Sequence, residues 1–128
     1  MRDIKTEADL KRFRKLVDRA LKDIPDEFLE YLENLEIFVE EDPSPELRNE
    51  LGLRKGDILF GLYQGVPRPN RHFFQTVILP DRIILFQNAF LRTCPTEEKM
   101  LDQIRKTLVH EIAHHFGFSE VKIRQLGY

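Results

Sequence analysis

Leu10, Phe13, Val17, Ala20, Leu21 and Ile24 recur at the three- and four-residue spacing of a helix with one buried face. Thr6, with Asp9 three residues on, supplies an N-cap, so the pattern predicts an amphipathic first helix. Pro25 suits the first position of a second, shorter helical segment from Asp26 to about Glu33, with Phe28, Leu29 and Leu32 turned inward. At Leu35 the period falls from 3.6 to 2. Leu35, Ile37 and Val39 alternate with Glu36, Phe38 and Glu40, which predicts a half-buried strand. Asp42-Pro43-Ser44-Pro45 then turns the chain into a short helix from Glu46 to Leu51, closed by Gly52.

Asp57 to Tyr63 reads as the second strand, with Gly61 marking a bulge or a close backbone approach. Gln64 to Arg71 holds too many prolines and glycines for a regular element and is expected as an exposed loop. Two further strands are expected, Phe74 to Leu79 and Arg82 to Phe86, hinged at Pro80-Asp81. Thr96, followed by Glu97 and Glu98, opens the longest helix, which should run through Phe116 with Leu101, Ile104, Leu108 and Ile112 as its core stripe. Helices, mixed strands and helices follow one another without a repeat or a linker. The expectation is one α+β domain over residues 1–128, long enough for a single core.

Charge and cysteine content narrow the partners. The net charge of -2, from 22 acidic and 20 basic residues, offers no basic footprint for nucleic acid. Cys94 is the sole cysteine, so no intrachain disulfide forms and a reducing compartment is expected. No apolar run reaches the roughly 18 residues of a membrane span, and the opening Met1-Arg2-Asp3-Ile4-Lys5 lacks the apolar stretch of a secretory leader. A cytoplasmic protein with no nucleic-acid or membrane partner is the expectation.

The chemistry is concentrated in His110-Glu111-Ile112-Ala113-His114-His115-Phe116-Gly117-Phe118-Ser119-Glu120, an HExxH phrase continued by xxGxxE. Residues four apart on a helix project from one face with β-carbons about 5 to 6 Å apart, so the imidazoles of His110 and His114 can grip one metal ion. Glu111, one residue round, stands beside that ion, where a carboxylate can take a proton from water. Three of the four histidines fall in this phrase, which favours a metal site over a pair of exposed polar residues. Gly117 fits a left-handed C′ position that ends the helix and reverses the chain. Glu120 then has two readings: a third ligand to the same ion, or a favourable charge in the first turn of a last short helix capped by Ser119 and stopped by Gly127. The ligand reading is preferred because a catalytic zinc takes three protein ligands and keeps one open position.

Other candidates are weaker. His115 lies about 140° round the helix from His110 and suits packing or support of the site. Cys94 precedes a helix whose roughly 14 residues up to His110 span about 21 Å at 1.5 Å per residue, which argues against it as a ligand. His72, in the basic loop, could contact substrate but fits a solvated role as well. Tyr63 and Tyr128 offer phenols for an oxyanion, Tyr128 the better because it closely follows the metal phrase, although each also suits a half-buried aromatic.

HEIAHHFGFSEVKIRQLGY, with GLYQGVP and LPDRIILF upstream, resembles the small bacterial zincin-like metallopeptidases, or minimal zincins, over nearly the whole chain. The resemblance implies a reduced zincin fold: a small mixed sheet packed against helices, with the metal motif on the long C-terminal helix. It also implies zinc held by His110, His114 and Glu120, with Glu111 as general base. The family more often has Asp at the position of Glu120. The spacing is similar to that of metzincins too, but their methionine turn is missing, since Met1 and Met100 both precede the motif. The expected activity is zinc-dependent hydrolysis of peptide bonds in peptides or unfolded proteins, the substrate lying along strand 57–63 or strand 74–79 by analogy with zincins. The alternative is a metal-binding interaction or regulatory module with little or no turnover, and a weaker one is a metallo-amidase acting on a small molecule.

Overall fold

The computed structural model describes residues 7–65 and 81–128. The expected Thr6 cap, most of the 64–71 loop, His72 and the expected strand Phe74–Leu79 lie outside them. Among the described residues the chain forms six α-helices, one 3₁₀ turn and three strands, an α+β architecture.

Helix α1, Glu7–Lys22, buries Phe13, Leu16, Val17 and Ala20. The apolar stripe that defines it is thus the face it buries, and it packs along α5. The next segment differs from the single short helix expected. Pro25 stands one position earlier, as an extended N-cap with ψ 144, and a 3₁₀ turn at Asp26–Phe28 precedes a single α-turn, α2, Leu29–Leu32. Strand β1, Leu35–Glu40, keeps the expected alternation, with Leu35, Ile37 and Val39 half-buried and the residues between them exposed. Helix α3, Pro45–Glu50, takes Pro45 as its first residue, and Ser44 Oγ accepts the Leu47 N–H at 3.1 Å.

Strand β2 is Gly61–Gln64, shorter and later than the 57–63 expected. Its partner sets the limit. β3, Asp81–Phe86, pairs antiparallel with β2 from Gly61 opposite Leu85 to Gln64 opposite Arg82. One more bond, Phe86 N–H to Phe60 O at 2.9 Å, ends the ladder, because the chain turns into a helix at Gln87. Among the described residues, those before Phe60 therefore have no strand to pair with, and Asp57 is tied instead into a turn with Arg54. On its other side β3 runs parallel to β1, giving the order β1-β3-β2. The consecutive buried residues Ile83, Ile84, Leu85 and Phe86 mark β3 as the central strand.

Helix α4, Gln87–Thr93, was not foreseen. It has no side-chain cap and starts directly on the last strand residue, so neither capping nor length announces it. Phe90 packs on Phe13 and Phe60, while Asn88 donates to Asp42 Oδ2 at 2.9 Å. Helix α5, Glu97–His115, opens with Thr96 Oγ1 accepting the Lys99 N–H, and ends one residue short of expectation with Phe116 as its cap. Leu101, Ile104, Leu108 and Ile112 are buried as the stripe implies. They share one core with Ile83 and Leu85 of β3 and with the inner face of α1. Helix α6, Glu120–Gln125, follows with Ser119 as cap and Ile123 buried. Among the described residues, no helix is long and apolar enough to cross a membrane.

Candidate metal centre

The end of α5 brings the metal phrase together. Gly117 has φ +80, a left-handed conformation that residues with a β-carbon rarely adopt. Around it Phe118 N–H reaches Ala113 O at 2.8 Å and Gly117 N–H reaches His114 O at 3.2 Å, the paired bonds of a Schellman turn. Phe118 then packs on Phe28 at 5.1 Å between ring centres, and Phe116 stacks on Tyr31 at 4.2 Å. These aromatic contacts anchor the turn to the segment before β1. The reversed chain enters α6 with Glu120 as its first residue, so the two readings of Glu120 are compatible.

His110, His114 and Glu120 each offer one ligand atom, and the three atoms lie within 4.8 Å of one another. The His110 and His114 rings stand edge to face at 5.8 Å, and His114 Nε2 is hydrogen-bonded to Glu120 Oε1. That bond is the main cause holding the Glu120 carboxyl below the usual carboxylate range. Partial desolvation opposes it, and the charges of His114, His110 and Arg124 reinforce it. The donor set fits a divalent cation. Ligands about 2.0 to 2.2 Å from a tetrahedral ion sit roughly 3.5 Å from one another, so small side-chain rotations close the set. His114 and Glu120 are about half exposed, leaving the open side that a catalytic rather than a structural ion needs.

Glu111 is half-buried beside this cluster, and its Oε1 accepts the backbone N–H of Tyr63 at 2.9 Å. The sheet register explains why that donor is available. Phe60 pairs with Phe86 through a main-chain bond, so in an antiparallel ladder the amides of Gly61 and Tyr63 point away from β3, toward the outer edge of β2. Close approach of β2 to α5 depends on Gly61, where a β-carbon would meet Thr107 Cγ2 at 2.9 Å and Ile84 O at 3.1 Å. The expected close backbone approach at this glycine is therefore what the structure has.

Of the remaining candidates, Tyr63 and His115 stand together beside Glu111. Both phenols considered for an oxyanion are engaged within the fold: the Tyr63 hydroxyl donates to Asp81 Oδ2 at 2.8 Å, and that of Tyr128 reaches Asp23 O, just beyond α1, at 3.5 Å. His115 stacks on the Tyr63 ring at 3.9 Å with 17° between planes, and its Nε2 lies 3.8 Å from Asp81 Oδ2. Cys94 is the C-cap of α4 and sits before the start of α5, at the opposite end from His110 and His114. Asp81 was missed as a site neighbour. Only the pairing of β2 with β3 brings it to His115, and no local motif signals that.

This combination of fold and site is that of a zincin-like metallopeptidase. The model of that family matches residues 32–128, and the chain belongs to it. Among solved structures, a conserved hypothetical protein from Thermus thermophilus is similar, with a TM-score of 0.54 and 23% identity over 84% of this chain and 92% of that one, a likeness that shows a shared fold. No curated protein sequence matches the chain.

Proposed function

We propose that the protein is a zinc-dependent peptidase that hydrolyses peptide bonds in peptides or unfolded chains. The observation that carries this reading is a three-donor cluster with a neighbouring carboxylate, Glu111, held at a fixed place by the Tyr63 amide. His110, His114 and Glu120 would hold the ion. When bound, zinc supplies Lewis-acid polarisation of a carbonyl and brings the pKa of coordinated water to about 7. The chain supplies the rest. With Glu111 Oε1 taken by the amide, Oε2 is assigned to proton transfer: it accepts the proton of the attacking water and returns it to the departing amine nitrogen. An extended substrate would lie near β2, the strand packed on α5, with the Tyr63 N–H kept by Glu111 and not offered to the substrate. We assign the protein to the cytoplasm because a sole cysteine suits a reducing compartment.

The test is metal analysis beside a fluorescent casein assay on wild type and Glu111→Gln. Close to one zinc per chain is expected in both, with hydrolysis lower by about 10²- to 10⁴-fold in the variant, the usual contribution of a positioned base. Should zinc bind while both proteins behave alike on casein, the metal-binding interaction module replaces the peptidase.

A further inference from the structure

Helix α5 carries two pairs of residues at i and i+4, offset by one position. His110 and His114 form the metal face. Glu111 and His115, about 100° round, form a second face that meets β2. On that second face both residues hold Tyr63, Glu111 by its backbone N–H and His115 by the face of its ring. The ring is fixed at its far end as well, where the hydroxyl donates to Asp81. The backbone of Gly65 lies against the imidazole, since a β-carbon there would stand 3.4 Å from His115 Cε1.

We infer that His115 is a positioning residue: by stacking on Tyr63 it fixes β2 against α5 and so sets where the Glu111 carboxylate stands relative to the ligands. The inference deepens the peptidase reading and rests on it for its kinetic consequence, but its structural content does not. The imidazole acts here as a flat surface rather than as an acid or base. Leucine removes that surface, whereas phenylalanine keeps it. Tyr63→Phe keeps the stack and the amide and removes only the anchor to Asp81.

The experiment uses zinc-loaded protein with fluorescent casein as probe, together with hydrogen exchange at the Tyr63 amide. In His115→Leu, kcat is expected to fall by about 10- to 100-fold, as displacing a reacting group by around 1 Å does. KM should stay within about twofold, zinc content should be unchanged, and the Tyr63 amide should exchange faster by a similar factor. His115→Phe restores both rate and protection, which a generally loosened fold would not produce. Wild-type kcat and Tyr63 protection in His115→Leu would overturn the inference, as would a His115→Phe variant no better than His115→Leu. If His115→Leu does not fold, His115→Gln decides, since it removes the flat ring over Tyr63 and keeps a polar side chain of similar length: faster exchange with lower kcat upholds the clamp, and no change in either removes it. If wild type does not cleave casein at all, the peptidase reading falls and the exchange comparison still decides whether His115 holds the strand.

Discussion

Glu120 belongs at once to a helix start and to a donor cluster, and its ionisation ties the two roles together. Its folded-state pKa is depressed, chiefly by the bond to His114, so whatever it contributes is present above the ordinary glutamate pKa and is lost as pH falls through the depressed value. It therefore remains a carboxylate throughout the neutral range. Glu120→Gln is expected to weaken zinc binding by roughly tenfold or more, yet to leave the slope of log Kd against pH unchanged between about pH 6 and 8, as measured by chelator competition. A slope that flattened in the variant would mean that Glu120 titrates there. At this scale much was legible in the chain: the HExxH spacing and the glycine seven positions after His110 both act within a few residues. Tyr63 was legible only as a candidate phenol. What the structure makes of it, a backbone donor to Glu111 and a ring under His115, depends on a register that no local pattern encodes.

At the scale of elements, two glycines decide whether α5 meets its neighbours. Gly117→Ala forces a side chain into a left-handed conformation and is expected to cost about 1 to 2 kcal/mol in chemical denaturation of the metal-free protein, with zinc retention weakened because Glu120 is displaced. Gly61→Ala puts a methyl group 2.9 Å from Thr107 Cγ2 and should cost about 1 to 3 kcal/mol by overpacking. Adding Thr107→Ser removes that contact and should recover part of the loss. No recovery would place the strain at Ile84 O instead. Elements with a strong period or a cap, such as α1, β1 and α5, were readable to within a residue or two. β2 was misjudged because Ile58 and Leu59 extend its apolar run while β3 offers them nothing to pair with. α4 was invisible because it is short and uncapped.

For the whole molecule, one core joins α1, α5 and the β3 face, and the site stands at its edge. Leu108→Ala, fully within that core, is expected to cost about 2 to 5 kcal/mol and to lower thermal stability whether or not metal is present. Zinc at 100 times its Kd should add about 2.7 kcal/mol if only the native state binds it, read as a rise in Tm that chelator reverses. Hydrogen exchange should then slow chiefly in α6, the element that Glu120 would tether.

The spacing of the donors adds a kinetic consequence. All three donors of the candidate cluster lie within residues 110–120, and the His114–Glu120 bond spans only six positions, whereas the bond that holds Glu111 reaches 48 positions back to Tyr63. On the proposed reading the unfolded chain already contains a short chelating loop, while Glu111, the proposed base, acquires its place only when the sheet assembles. Ion capture can precede folding and proton transfer competence cannot. Zinc should accordingly stabilise the native state by somewhat less than mass action on that state alone, and in stopped-flow refolding its signal should appear before that of the sheet.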